Sequence, residues 1–434
     1  MKNVKILLSA LLVLALMLGM TAFAEGYTVK ELNVKIWDNN QLKGLQEIAD
    51  LWTEQSGVKV NIEVVDWNNY WTLLEAGATG GDMPDVFWMH SNNAEMYMAA
   101  GKLLDLTDYI AKSEVVDLNN YYPDITALYT KDGKNYAVAK DHDTIALLYN
   151  KAIFDQYGVE YPTDDWTWED YKAAAEKITE ASGGEVYGGA CNTGNNQDTF
   201  YNIIYDFGGY VISDDKKSSG WDNENTIKAF EFMTTLMNTA DNPNSAWAPQ
   251  PLVAENGKDR LFINGKIAMD TEGSWMINTF YTDEHHDDYA WAMLPYWDLN
   301  GNGQCDPEER VSIYNGLGWS ASADVADPNA AWGLIEWFSS HEMQVKQSEL
   351  GVTMAGYIGD SEPFMTSAFP GMNIDAFLKM ETEGRLVFRP YSKYTSRWED
   401  EATQGLVTLW NDPSTMMDVL TSLANSMNGW LAQE

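Results

Sequence analysis

Leu32-Asn33-Val34-Lys35-Ile36-Trp37-Asp38-Asn39 opens the stretch that decides the fold. Apolar and polar side chains alternate from Leu32 to Ile36, the period of a half-buried strand. Leu42, Leu45, Ile48, Ala49 and Trp52 then recur at helical spacing, and Gly57 stands where a helix C-cap belongs. Val58, Val60, Ile62 and Val64 alternate again. A short helix is expected from Tyr70 to Ala78, and Asp85-Val86-Phe87-Trp88-Met89 reads as a third, apolar strand. This β-α-β-α-β order predicts an α/β fold with a parallel sheet flanked by helices. In open sheets of that kind ligands bind outside the carboxyl ends of the strands. Those ends carry Trp37, Asp38 and Asn39, then Trp67 and Asn68, then His90, Ser91, Asn92 and Asn93. All three present aromatic and hydrogen-bonding groups and none a Gly-rich phosphate loop, a combination that suits a neutral, polyhydroxylated ligand.

Further along, Tyr136-Ala137-Val138-Ala139-Lys140 and Thr144-Ile145-Ala146-Leu147-Leu148-Tyr149 read as strands on either side of Asp141-His142-Asp143. Helices are expected over 171–181, 200–207 and 226–237, strands over 267–269 and 290–294, and one long amphipathic helix over 329–348. The last roughly 80 residues are mostly helical on the same pattern. No internal repeat, low-complexity tract or Pro/Gly/Ser linker divides the chain. Its 434 residues exceed what one core ordinarily holds, so two lobes are expected, with the chain crossing between them more than once.

Lys2 and Lys5, the apolar run from Ile6 to Met20 and the small-x-small site Ala22-Phe23-Ala24 read as an export signal over 1–24. The run is short for a membrane span, which needs about 20 apolar residues. No cysteine stands at the cleavage site, so a lipid anchor is not expected. The chain has 27 basic and 65 acidic residues, net −38; the signal holds two of the basic residues and no acidic one, which leaves −40 without it. Such a surface repels phosphate backbones and anionic lipid heads, which argues against nucleic-acid partners and suits an exported protein kept soluble by self-repulsion. Cys191 and Cys305 are the two cysteines. Export permits them to pair, but sequence gives no distance between them.

Several local signatures stand in a telling order. They are Gly81-Asp82-Met83-Pro84-Asp85-Val86, Gly133-Lys134-Asn135-Tyr136-Ala137-Val138 and Leu148-Tyr149-Asn150-Lys151-Ala152-Ile153-Phe154. Pro162-Thr163-Asp164-Asp165-Trp166-Thr167-Trp168 follows, then Gly265-Lys266-Ile267-Ala268-Met269 with Gly273-Ser274-Trp275, then Gly316-Leu317-Gly318-Trp319 before Ala330-Ala331-Trp332. In this the chain resembles the extracellular carbohydrate-binding proteins of ABC importers, the family that includes maltose-binding protein. The resemblance implies a two-lobe periplasmic-binding-protein-like fold, with crossovers at 133–154, 265–275 and 316–332. It also implies capture of a carbohydrate by hinge closure and delivery to permease subunits in the membrane; the several aromatic platforms at the strand ends point to an oligosaccharide more than a single sugar. The protein is then exported, extracellular or periplasmic, held at the cell surface through its transporter, monomeric and not an enzyme. The expected lobes are 25–142 with 276–320, and 143–275 with 321–434.

A sugar ring has apolar C–H faces and a rim of hydroxyls, so its pocket needs Trp or Tyr beside Asp, Glu, Asn or Arg. Trp275, after Glu272-Gly273, is the first candidate, because the family commonly places a stacking aromatic there; the alternative is a Trp packed at the hinge. Strand-end position adds Trp37, Asp38, Trp67, Ser91 and Asn92, with Glu95 one helical turn on. Asp143 offers an acceptor for vicinal hydroxyls or else caps a turn. Arg389 reaches the cleft or forms a surface ion pair. Asn315 and Gly316 offer backbone groups where glycine permits close approach.

Asp298-Leu299-Asn300-Gly301-Asn302-Gly303-Gln304-Cys305-Asp306-Pro307-Glu308-Glu309 matches the twelve-position calcium loop. Side-chain oxygens of Asp298, Asn300, Asn302, Asp306 and Glu309 and the Gln304 carbonyl are the expected ligands of one structural Ca²⁺. A Gly/Asn-rich turn is the alternative. The flanks, 291–296 and 311–314, read as strands and not the helices of a sensor. Three rival functions share parts of this pattern: a secreted glycosidase, which needs two carboxylates at fixed separation; a wall lectin or adhesin; and a binding protein for another solute such as a polyamine or peptide.

Overall fold

The computed structural model describes residues 26–239, 242 and 245–434. The export signal expected over 1–24 lies outside them. The chain divides into two compact units. One holds the described residues up to Met89, Tyr97–Asp141 and Leu317–Ser361; the other holds His90–Met96, His142–Gly316 and Glu362–Glu434.

In the first unit, strand Glu31–Ile36 pairs in parallel with Lys59–Val64 on one side and Val86–Met89 on the other. Leu32, Val34 and Ile36 are fully buried while Glu31 and Asn33 face water, which is the period-two alternation of the sequence. Helix Asn39–Ser56 starts on Asp38, whose side chain accepts the Asn40 N–H, and stops at Gly57, which takes the left-handed conformation at φ 70°. Helix Trp67–Gly80 is capped by Asp66. The sheet is mixed, not parallel throughout. Gly318–Ala321 lies antiparallel to Val86–Met89 and carries Val138–Ala139 outside it. The single helix expected over 329–348 is two, Pro328–Ser339 and His341–Glu349. Ser340 is extended (ψ 147°) and its hydroxyl caps the second helix at the Met343 N–H.

The second unit centres on strand Ile145–Asn150, which pairs antiparallel with Met269–Gly273 and with Tyr289–Ala292. Val311–Tyr314 pairs in parallel with Arg385–Phe388. Helices Trp168–Ala181, Phe200–Asp206, Glu224–Leu236, Thr395–Asn411 and Met416–Leu431 close a core in which Trp168, Trp221 and Trp398 are fully buried. Trp168 donates its indole N–H to Asp206 (2.7 Å) and Trp398 to the Ser392 hydroxyl (3.0 Å), partners that offset the burial of those groups.

Three expectations are corrected by this division. Residues 276–316 belong to the second unit, because Tyr289–Ala292 is an edge of its sheet and Val311–Tyr314 pairs with Arg385–Phe388. Residues 321–361 belong to the first, because their two helices pack on helix Asn39–Ser56. The 265–275 segment does not cross: its strand, shifted to Met269–Gly273, pairs with Ile145–Asn150 inside the second unit. The changes of unit fall after Met89, Met96, Asp141, Gly316 and Ser361.

Candidate functional site

At the carboxyl ends of the first unit's strands, Trp37 is surrounded by aromatic rings. Its centroid lies 5.1 Å from Trp67, 5.0 Å from Tyr70 and 4.9 Å from Trp88, all edge-on, and 5.8 Å from Trp71. Trp88 is fully buried, Trp37 and Trp71 are half-buried, and Trp67 keeps 38% of its surface open. The cluster thus grades from core to water and leaves an aromatic face outside. Beside it, the Asp38 carboxylate accepts from the Asn40 N–H (2.8 Å) and Gln41 Nε2 (3.0 Å). Burial raises the Asp38 pKa against those bonds and against Lys140. Lys140 is fully buried. Its ammonium donates to Gln41 Oε1 and Asp141 Oδ2, both at 2.6 Å, and sits 4.4 Å from the Trp88 ring centroid. The structure therefore brings Trp37, Asp38 and Trp67 together and adds Gln41, Tyr70, Trp71 and Lys140. Trp71 was visible in the sequence, one helical turn after Trp67; Lys140, at the end of an apolar run, gave no sign of its role.

In the second unit Arg389 gathers Ser91 and Asn92. Its guanidinium donates to the Ser91 hydroxyl (3.3 Å), to Asn92 Oδ1, to Asn196 Oδ1 (2.9 Å) and to Glu399 (2.8 Å). With 5% of Arg389 exposed, this is a buried pair and not the surface ion pair considered from sequence. Burial raises the Glu399 pKa, and Arg389 opposes it.

His90 lies next to this group. Its Nδ1 accepts the Asn92 N–H (3.2 Å), and burial followed by the Arg389 charge pushes its pKa far down, so the ring is neutral with its proton on Nε2. Nε2 faces the Asn315 side-chain amide at 2.9 Å, while Asn315 Oδ1 is buried without a partner. Turning that amide by 180° satisfies both groups.

Asp143 and Asn315 are joined through the main chain. Asp143 Oδ1 accepts the Asn315 N–H (2.9 Å), and the Asp143 N–H donates to the Asn315 carbonyl (3.0 Å). Asn315 is fully buried and its backbone N–H and carbonyl both bond Asp143, while Gly316 follows it at the unit boundary. Gln197 also donates to Asp143 (2.6 Å). The run Asn192-Thr193-Gly194-Asn195-Asn196-Gln197-Asp198-Thr199, for which sequence alone suggested no role, thus holds both Arg389 and Asp143. Its signal was eight consecutive residues without an apolar side chain, largely buried in the structure.

Glu95 is half-buried in the first turn of helix Ala94–Ala99. Trp275 lies at the start of strand Ile145–Asn150, where the Ser274 N–H donates to the carbonyl of Thr144, the residue after Asp143 (3.0 Å). It is half-buried, lies flat over Gly273 and packs on Ile145, Met293, Leu294 and Met380. Only glycine fits beneath it, since a Cβ on Gly273 would meet the indole at 2.1 Å.

The Asp298–Glu309 loop joins strands Tyr289–Ala292 and Val311–Tyr314, flanks unlike those of a sensor. Asp298 accepts the N–H groups of Gly301, Asn302 and Gly303; Glu309, 2% exposed, accepts those of Leu299, Asn300 and Asp306. The Asn300 and Asn302 amides both donate to Asp306 Oδ2, at 2.6 and 3.0 Å. Among the described residues no three His, Cys, Asp or Glu side chains converge as a metal-binding group. Cys191 and Cys305 are both free thiols.

Comparison with known proteins accounts for this architecture. The family model described as bacterial extracellular solute-binding protein matches residues 38–345, and the chain belongs to that family, one of binding proteins and not of enzymes. The maltotriose-binding protein of Pyrococcus abyssi is 26% identical over 333 residues, 75% of this chain and 66% of that protein, so the match spans just under two thirds of the relative. An ABC substrate-binding protein from Listeria monocytogenes, solved in complex with cycloalternan, superposes with a TM-score of 0.82 at 23% identity, covering 93% of this chain and 99% of that one. The GacH receptor of Streptomyces glaucescens, solved unliganded and with acarbose, gives 0.77 at 18%, covering 93% and 99%. These structures share the two-lobe α/β fold.

Proposed function

We propose that this protein captures an oligosaccharide outside the cell and delivers it to the permease subunits of an ABC importer. The observation that carries the ligand class is the graded aromatic face of Trp37, Trp67 and Trp71 beside the Asp38 carboxylate: stacking surface for C–H faces, an acceptor for hydroxyls. The family and the maltotriose-binding relative agree with it. Within the second unit, Ser91, Asn92, Glu95, Asp143, Trp275 and Arg389 are the residues this reading assigns to sugar contact. The chain acts as an exported monomer, and among the described residues no helix is long and apolar enough to cross a membrane. Titration calorimetry with maltotriose, mannobiose and arabinooligosaccharides tests the reading. Saturable binding without turnover is expected; binding only to amines or peptides, or turnover of the glycan, refutes it.

A second proposal concerns the Asp298–Glu309 loop, which we read as a structural Ca²⁺ site. The Asn300 and Asn302 amides both turn their nitrogens toward Asp306, supplying the positive partner an ion would supply. Their oxygens meanwhile accept the Asn302 and Gln304 N–H groups (3.0 and 2.7 Å), so an ion would have to draw both oxygens away from those bonds. Ca²⁺ wants six to eight oxygens, and the loop's spacing provides that number. Metal analysis of the purified protein tests this, with melting curves in calcium and in EDTA. A protein without calcium whose melting is unmoved by EDTA leaves the loop a turn.

A further inference from the structure

We propose that Lys216 is a further sugar-contacting residue, which donates from its ammonium to ligand hydroxyls beside the Arg389 group; this rests on the carbohydrate reading above. Lys216 sits at the tip of a turn closed by the Ile212–Ser219 bridge and by its own N–H to the Ser213 carbonyl (2.8 Å). Its φ is +57°, a left-handed conformation that a residue with a Cβ adopts only when the surroundings impose it. Glycine or asparagine would fill that position with less strain, so the lysine side chain needs its own reason.

What the turn achieves is to lay the ammonium on the face of Tyr391, 3.2 Å from the ring centroid. Tyr391 follows Arg389 by two residues, and Arg389 holds Ser91 and Asn92. The ammonium is half-buried, and among the described residues no carboxylate lies within ion-pair distance of it. Glu95 and Glu434 act on it through space, and Asp215 and Lys217 flank it in its own turn. Burial outweighs the two glutamates and pulls its pKa down to about 8. A cation stripped of part of its water, held by a strained backbone and backed by an aromatic ring, is pre-set to donate to a neutral acceptor. A sugar hydroxyl fits that description, and Glu95, already a candidate, belongs to the same group.

The test compares wild type with Lys216→Met and Lys216→Arg, using whichever of maltotriose, mannobiose or arabinooligosaccharide binds wild type most tightly. Lys216→Met keeps the stem and removes the charge. We expect it to weaken binding roughly tenfold at pH 7, the scale of a hydrogen bond to a charged donor, with unchanged melting. Lys216→Arg restores most of the affinity. Wild-type affinity is full below pH 8 and falls as the pH rises above it, while Lys216→Met is flat over that range. Wild-type binding that Lys216→Met matches at every pH overturns the inference alone. Wild type that binds none of the three overturns the carbohydrate reading and this inference with it.

Discussion

Lys258 lies in the second unit at the centre of three carboxylates: 2.9 Å from Asp270, 3.3 Å from Asp198 and 3.6 Å from Glu272. Its ammonium also donates to the Thr271 carbonyl (2.7 Å), and all four side chains are buried. Burial alone would discharge the lysine, but the three acids override it and hold its pKa well above the ordinary value. Burial raises the pKa values of Asp198, Asp270 and Glu272, and Lys258 opposes the rise in each. At these separations each pair attracts by about 5 kcal/mol at an effective dielectric of 20, most of it offset by desolvation and by repulsion among the acids. Replacing Lys258 with Met keeps the stem and deletes the charge. Removing one partner of a buried pair costs about 3–5 kcal/mol.

A second route gives the same size and adds a pH dependence. Without Lys258 the folded protein must hold at least one more carboxyl proton than wild type. The unfolded chain releases that proton near pH 4, so holding it costs about 4 kcal/mol at pH 7 and about 1.4 kcal/mol at pH 5. The sign follows from the direction of the shifts. Acids whose folded pKa is raised contribute stability below their unfolded pKa and lose it as pH rises, and the variant extends that loss to higher pH. Calorimetric melting of Lys258→Met should therefore fall below wild type by roughly 6–20 °C at pH 7 and by much less at pH 5. Equal melting temperatures at pH 7, or a difference that stays constant from pH 5 to 8, would refute the reasoning.

Other outcomes follow from the same structure. Trp275→Ala should weaken glycan binding by about 1–3 kcal/mol in calorimetry with the fold retained; unchanged affinity assigns Trp275 to packing on Ile145 and Met293. Arg389→Met strands Glu399 in the core and should destabilise by about 3–5 kcal/mol, read by urea unfolding; a loss below about 1 kcal/mol contradicts a buried pair. Asp298→Ala should abolish the calcium-dependent rise in melting temperature and leave glycan affinity nearly unchanged.

The first unit was legible because its code is local. The alternation from Leu32 to Ile36, the Gly57 stop and the apolar strand to Met89 each depend on a few neighbouring residues, and the structure reproduces them. The antiparallel Gly318–Ala321 strand was not legible: its place beside Val86–Met89 is set by pairing across more than two hundred residues, which no window of sequence shows. The break at Ser340 was missed for a different reason. Apolar periodicity runs through both helices, and a serine that caps helix His341–Glu349 is indistinguishable from a solvated helix position until its ψ is known. In the candidate site Trp37 and Trp67 came from strand-end position, whereas Tyr70 and Trp71 did not; nor did Gln41, Lys140, Asn196 and Gln197, because a polar side chain's partner is chosen by the tertiary fold.

These unread residues share one logic. The chain has few cations, 27 against 65 acids, and it buries Lys140, Lys258 and Arg389. Lys140 holds Gln41, which holds Asp38. Lys258 pairs with Asp198, whose neighbour Gln197 holds Asp143. Arg389 holds Asn92 directly and Asn196 beside it. Each of these three cations therefore stands a short chain of bonds behind a candidate ligand residue and helps to fix it. Side chains already fixed lose less entropy when a ligand arrives, by about 0.5–1.5 kcal/mol for each one that would otherwise be immobilised. Deleting an aromatic should then remove one contact, while deleting one of these cations should loosen several residues at once. The losses for Lys140 and Asp38 variants should consequently fall short of additivity, because both act through Gln41.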